Sequence, residues 1–495
     1  MCTKTRRQAV FQVSGPIAPA TARSHGSFKC FATVLACAAG ALAIASANAQ
    51  VPTALAAEST RAVNTGKDPI PGPRNCFWSR GPASADPYIN IAYPDAGTFY
   101  WAATFSVPEG AKLSVEGEFP HSRYMSLISY DGAGVPVESV ADYLIKPAPG
   151  AINPFLPGAE RNASARTYSL AVVDGVPPAN QPVGMNQVGQ QRATLHAPKY
   201  GAGQQVILYR IYARDKGTDE TGGAGLPVPV LTLADGKVLK GDAVCPALRT
   251  KQPLQLDAAA LAVPMEKYHA LIAAAREVGK AKNEPAYPAT NPPTWYIQYD
   301  REYLYSLYTG KPLANPKKST GGFYPNLDNQ YIRTIVSRKL GKVFVIRGKA
   351  PTTPKTYNGD ATMGNGDLRY WSMCSNQGFA NTRVNACAYD EHIPVGPDGF
   401  YTIVVSRKED RPRNAIDACG ITWLPMADDG DGAADADVTV VQLRHMLGTS
   451  NFPHAVQAIE KPGDEQRVMA DYYPQGRYMS TSAFEIALPC MPAKP

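Results

Sequence analysis

Four arginines stand in strand-like segments of an otherwise apolar character: Arg123 in "RYMSLIS", Arg210 in "VILYRIY", Arg369 in "RYWSMCS" and Arg444 in "VVQLRHM". A guanidinium inside such a run is costly unless something neutralises it. Its planar fork suits a carboxylate from the chain or from an anionic ligand equally well. The two readings are therefore a structural ion pair and a ligand-carboxylate site.

The histidines are few, and three sit beside charged groups. His121 precedes "RYMS", His392 follows Asp390-Glu391, and His445 adjoins Arg444. A histidine with a carboxylate can act as a general base. On a strand Asp390 and His392 would share a face that Glu391 would not, and His445 would face away from Arg444. The candidate catalytic set is His121, Asp390, His392 and Asp300; the plainer reading of His392 is an exposed turn histidine. The Tyr-rich stretch "YIQYDREYLYSLYTG" (296–310), read as a helix, lines up Tyr296, Tyr299 and Tyr303. Such a face can stack on sugar rings or planar organic ligands, or pack between domains.

Other signatures are missing. The chain has no G-x-S-x-G elbow, H-E-x-x-H, P-loop or G-x-G-x-x-G, which disfavours α/β-hydrolase, zincin and nucleotide chemistry. No cofactor or metal site is expected. The acidic "DDGDGAADAD" (428–437) lacks the glycine position and terminal glutamate of an EF-hand loop and reads as a solvated loop.

The elements that carry these residues are duplicated. "YPDAGTFYWAATFSVPEGAKLSVEGEFP" (93–120) aligns without gaps to "YPNLDNQYIRTIVSRKLGKVFVIRGKAP" (324–351). The register resumes at Arg123-Tyr124 and Arg369-Tyr370, at "TYSLAVV" (167–173) and "FYTIVVS" (400–406), and at "VILYRIY" (206–212) and "VVQLRHM" (440–446). Short apolar runs broken by "DGAG", "PDG" and "DG" turns, with 26 tyrosines, 44 prolines and 42 glycines, imply a mainly β chain. The expected fold is two tandem antiparallel β-sandwich or jelly-roll domains, 86–245 and 296–460. A connector (246–295) joins them, with a helix from Pro264 to a stop at Gly279. Residues 50–85 are an N-terminal extension and 461–495 a closing strand, "RYMSTSAFEIAL", with a tail.

The first 49 residues read as a signal peptide: a basic leader, the apolar run Phe31 to Ala45, and the small-x-small site Ala47-Asn48-Ala49. That run is shorter than the roughly 20 residues a membrane span needs, so no integral membrane segment is expected in the mature chain. Taking the five leader cations from the formal charge of +7 leaves +2, too little to suggest nucleic acid as a partner. Export, to the periplasm or beyond, gives the six remaining cysteines an oxidising setting. The expected disulfides are Cys76–Cys245, Cys374–Cys387 and Cys419–Cys490, among fifteen possible connectivities.

The ordered set "RYWS", "PDGFYTIVVS", "ITWLP" and "LRHM" in the second copy resembles a bacterial domain-of-unknown-function family found in exported β-sandwich proteins. Those domains show Trp-Ser on a strand, an Asp-Gly turn, Asn-Trp-Leu-Pro and a Leu-Arg-x-Tyr strand. The first copy keeps "RYMSLISYD" and the strand "YRIYARD" followed by Gly-Gly and Leu-Pro, but not Trp-Leu-Pro. The resemblance spans about two thirds of the mature chain; it implies the architecture and carries no assigned chemistry. The resulting expectation is an exported double sandwich that binds a small organic or saccharide-like ligand between its halves. The competing one is a hydrolase or lyase using a His/carboxylate pair, with strand arginines holding an anionic substrate. A structural envelope protein is a third possibility.

Overall fold

The computed structural model describes residues 70–490 apart from 179–189, 250–261, 299, 317–318 and 320–323. The leader with its cleavage site and Tyr299 lie outside the described residues.

The chain is mainly β, with two antiparallel or mixed sheets in each half. In the first half the strands are β1 (Arg80–Ala83), β2 (Thr98–Phe105), β3 (Lys112–Glu118), β4 (Ser122–Tyr130), β5 (Pro136–Ala141), β6 (Thr167–Val173), β7 (Thr194–His196), β8 (Gln205–Arg214), β9 (Val228–Thr232) and β10 (Val238–Lys240). They form sheets β1-β2-β8-β4-β5 and β10-β9-β3-β6-β7. In the second half they are β11 (Tyr296–Ile297), β12 (Asn329–Ser337), β13 (Val343–Lys349), β14 (Leu368–Asn376), β15 (Val384–Tyr389), β16 (Phe400–Ser406), β17 (Thr422–Pro425), β18 (Val438–Gly448) and β19 (Gln475–Met479). Their sheets, β11-β12-β18-β14-β15 and β17-β16-β13-β19, repeat the same order, save that the four-stranded outer sheet has no counterpart of β10 among the described residues. The register repeats too. Ser126 opposes Arg210 as Ser372 opposes Arg444, and Gly117 opposes Tyr168 as Gly348 opposes Tyr401.

Burial explains why the inner strands do not alternate. On β6 residues alternate between buried and half-exposed or exposed, as expected of a sheet with one wet face. On β4 and β14 every residue is buried. One face of each inner sheet packs on its own sandwich core, where Trp78, Trp101 and Tyr209 meet in one half and Trp371, Ile403 and Leu443 in the other. The other face meets the opposite half, as in the ring contact of Tyr212 with Tyr370.

Several boundaries differ from the expectation. Residues 70–85 belong to the first sandwich rather than to an extension, because β1 pairs with β2 and Trp78 is fully buried in the core. The connector helix runs Met265–Lys282 and ends at Asn283, whose left-handed backbone (φ 54°) makes the cap. Gly279 is buried within it instead, where a Cβ would lie 2.5 Å from the Glu284 carbonyl. The third "RYMS" is β19, which flanks β13 as β9 flanks β3, and the expected closing strand turns into a short helix, Thr481–Ala487. Phe484 of that helix covers the outer face of the second sandwich over Val343, Val345 and Val404, so β13 and β16 are largely buried as well.

The described residues contain the three expected disulfides. Cys374 and Cys387 face each other across β14 and β15. Cys76–Cys245 and Cys419–Cys490 close loops of 169 and 71 residues, each stabilising by about 3–5 kcal/mol in the chain-entropy picture.

Gly117 and Gly348 are fixed by one close approach used twice. A Cβ on either would sit 2.7 Å from the hydroxyl of a buried tyrosine, Tyr168 or Tyr401. Gly348→Ala should therefore lower the unfolding free energy by about 1–3 kcal/mol in denaturant titration with disulfides intact, and Gly117→Ala by a similar amount. An unchanged midpoint for both would show that the tyrosines move aside freely.

Candidate functional site: a cationic, tyrosine-lined cavity between the halves

Arg123 and Arg369 open the equivalent strands β4 and β14, and each reaches across to the other half. Arg123 Nη1 donates to Asp390 at 3.0 Å, Nε to Thr356 at 2.7 Å, and Nη2 pairs with Glu391. Arg369 Nη1 donates to Asp142 at 2.9 Å. Each Nη1 also donates to the other arginine's carbonyl, at 3.3 and 3.2 Å. Both aspartates are anchored at home: Asp142 accepts from Met125 N–H and Asp390 from Trp371 N–H, two residues beyond the local arginine. All four side chains are at most 2% exposed. Burial pushes the Asp142 carboxyl up to about 6 against the pull of Arg369, and burial likewise raises Asp390 against Arg123. Two of the four strand arginines are thus structural ion pairs.

Arg210 and Arg444 repeat the exchange one strand further in. Arg444 Nη2 donates to the Tyr93 carbonyl and Arg210 Nη2 to the Tyr324 carbonyl, at 3.3 and 2.6 Å. Both tyrosines precede proline and hold a left-handed backbone, φ 51°. Here the copies part company. Asp95, two residues after Tyr93, takes Arg444 Nη1 at 2.5 Å together with the hydroxyls of Tyr370 and Ser372. Its counterpart after Tyr324 is Asn326, which gives Arg210 no charge. Arg210 instead donates to the Tyr130 hydroxyl at 2.6 Å and lies 5.1 Å from the Tyr100 ring. Among the described residues Ser126, the counterpart of Ser372, has no hydrogen-bond partner for its hydroxyl. Asp328 exerts a field on Arg210, but its carboxylate is held by Tyr124 and Ser139 and burial raises it. Arg210 is 3% exposed and forms no ion pair among the described residues.

These arginines line a cavity of about 600 Å³ between the inner sheets. Its walls carry Tyr93, Tyr100, Tyr212, Tyr324 and Tyr331 with Ala102, Leu208 and Ile335; Tyr296, Asp300 and Tyr303 border it from the 296–310 segment. Among the described lining residues the charges are Arg80, Arg210, Arg301, Arg333 and Arg444 against the single carboxylate of Asp300. Burial holds the Tyr93 and Tyr100 hydroxyls above the ordinary tyrosine range, so these phenols remain neutral and lend Arg210 no formal counter-charge. Despite burial, the surrounding Tyr130, Tyr212 and Tyr100 oxygens hold Arg210 above its ordinary value, so it stays charged.

The catalytic candidates do not come together. Asp390 is committed to Arg123. His392 lies on the single turn after β15, not on a strand, with its ring 4.0 Å from Tyr389 and 4.5 Å from Tyr357. Burial lowers it to about 4. His121 contacts Arg166, with ring nitrogens at 2.8 and 3.2 Å, and is lowered by burial and that cation. Asp300 caps the helix Arg301–Tyr308 through Tyr303 N–H at 2.9 Å. His445 is buried, accepts from Val456 N–H and is lowered by burial to about 3. One His–carboxylate contact, His196 with Glu138 at 2.9 Å, lies away from the cavity lining and shares its carboxylate with Arg192.

Metal-like groupings dissolve on inspection of their chemistry. The clusters Cys76, Asp242, Cys245 and Asp95, Cys374, Cys387 use sulfurs already joined in disulfides. In the acidic loop Asp431 accepts three backbone N–H groups and the Tyr268 hydroxyl, while Asp435 and Asp437 pair with Lys339 and Arg338.

No family model and no curated protein matches the chain. Among solved structures it is similar to an uncharacterized protein from Burkholderia cenocepacia, at 12% identity, covering 80% of this chain and 79% of that one, TM-score 0.40. It is also similar to a Vibrio parahaemolyticus protein, at 11% identity, covering 78% and 90%, TM-score 0.34. Likenesses this distant say nothing about activity.

The half-buried His392 sets an acid limit on the fold. His392 titrates near 4 folded and 6.5 unfolded, so its contribution is complete above 6.5 and is lost as pH falls through that window. His392→Phe, which keeps the ring packing, should flatten the decline in stability between pH 6.5 and 4 by up to about 1.4 kcal/mol per pH unit. Equal slopes in chemical denaturation of the two proteins would refute the assignment.

Proposed function

We propose that this is an exported, disulfide-stapled double β-sandwich that binds a small organic acid with an apolar or aromatic body between its halves. The observation that carries the reading is Arg210: a buried, charged guanidinium in a tyrosine-lined cavity, at the position where the other half supplies Asp95 and this one supplies Asn326. A ligand carboxylate would give Arg210 the counter-charge that its equivalent Arg444 receives from the chain. Tyrosine walls would also suit a saccharide, but a neutral sugar would leave that charge uncompensated. Among the described lining residues no histidine accompanies Asp300, so the His/carboxylate arrangement of a hydrolase or lyase gains no support there. Export belongs to the same proposal, on the apolar leader, the three disulfides and the absence, among the described residues, of a helix long and apolar enough to cross a membrane. So does kinship with the domain-of-unknown-function family, which the "LRHM" strand supports; Arg444 of that strand lines the cavity.

Asn326→Asp tests the reading with one near-isosteric change, because it supplies the missing charge from within the chain. In calorimetry with benzoate and hexanoate, the disulfide-intact protein should bind these acids in preference to glucose and cellobiose. The variant should keep or gain thermal stability while losing roughly tenfold or more in acid affinity. Acid affinity that ignores Asn326→Asp, or sugars that bind as well as acids, would overturn it.

A further inference from the structure

The duplication offers an internal control: cavity positions at which the copies differ mark what the ligand requires beyond the shared scaffold. Asp95 against Asn326 is one such position. A second lies on β2 and β12, where Tyr100-Trp101-Ala102 aligns with Tyr331-Ile332-Arg333. Ala102 opposes Leu208 across β2 and β8, and the equivalent pair across β12 and β18 is Arg333 with Gln442. One half thus presents an apolar patch to the cavity where the other presents a guanidinium and an amide.

Arg333 is oriented but not neutralised. Its Nε donates to Gln442 Oε1 at 2.6 Å, and its guanidinium lies 5.2 and 5.7 Å from the rings of Tyr93 and Tyr331. Its two terminal nitrogens have no hydrogen-bond partner among the described residues, and no carboxylate there pairs with it. Burial lowers it from its ordinary value, with the neighbouring Arg444 acting in the same direction. Among the described residues, Arg210 on β8 of the first half and Arg333 on β12 of the second both line the cavity without an ion-pair partner, as does the exposed Arg80 at the start of β1. Two like charges facing one cavity are stabilised by an occupant that carries two opposite ones.

We infer that the ligand is a dianion, a dicarboxylate with an aromatic or apolar spacer, that places one acid group on Arg210 and the other on Arg333 and so bridges the two halves. The proposal deepens the organic-acid reading and rests on it. The spacer lies along Ala102 and Leu208, and the ring or chain length sets specificity. A monoacid satisfies Arg210 alone.

Calorimetry on the disulfide-intact protein compares matched pairs: benzoate with terephthalate, hexanoate with adipate, decanoate with sebacate. At least one diacid should bind roughly tenfold or more tighter than its monoacid partner. Arg333→Gln, at a half-exposed position on β12, should bring that diacid down to the affinity of the monoacid. Diacids that bind no better than monoacids, or an Arg333→Gln variant that weakens both members of a pair equally, would overturn the dianion proposal. In either case monoacid binding sensitive to Asn326→Asp would leave the organic-acid reading standing. If no acid binds at all, both readings fall together.

Discussion

The structure depends on an exchange of buried charge between its two halves. Arg123 belongs to one half and is neutralised by Asp390 and Glu391 of the other; Arg369 belongs to the second and is neutralised by Asp142 of the first. In a symmetric dimer the same surface is used on both partners, so that residue i meets j and j meets i. Here one chain supplies both surfaces, and the same reciprocity appears within a single polypeptide. Neither half can complete its own charge balance: each aspartate is tethered to its own β4 or β14 backbone but draws its cation from across the interface. Removing either partner leaves a charge stranded in a dry environment, which is far costlier than the pair itself is stabilising.

That constraint fixes how the inner sheets face each other, and the cavity follows from it. The arginines one strand further in would by symmetry both be neutralised, each by a carboxylate two residues after a tyrosine with a left-handed backbone. Only Arg444 is. The Asp95/Asn326 difference leaves Arg210 without a counter-charge and, among the described residues, Ser126 without a hydrogen-bond partner, while Arg333 and Gln442 replace Ala102 and Leu208. Symmetry builds the frame, and its local failures give the cavity its electrostatic character.

Much of the frame was legible in the sequence because repeated local physics leaves repeated residues. The Tyr-Pro pairs, the Arg-Tyr-x-Ser strands and the turn glycines kept their register, and the cysteine pairs matched the closures the structure shows. The apolar runs holding Arg210 and Arg444 are strands, as expected, and they are buried along nearly their whole length. The partners of the arginines were not legible. Asp142 sits 227 residues from Arg369, and Asp95 sits 349 residues from Arg444, distances at which pairing is a property of tertiary packing alone. Asp300 and His392 sit where local physics puts them: the aspartate before a helix caps it, and the histidine on a turn packs between rings. Arg333 went unmarked because its strand alternates like any half-buried one. The aligned mismatch with Ala102 was the available signal, as Asp95 against Asn326 was for the unpaired arginine.

The claim on which everything else rests is that the halves are joined by exchanged charges, and a double-mutant cycle on Arg369 and Asp142 measures it. Arg369→Met and Asp142→Leu should each lower the unfolding free energy by about 3–5 kcal/mol, because each strands its partner, and the double variant should lose much less than the sum. Losses that simply add would mean that the two residues do not sense each other, and would contradict the account.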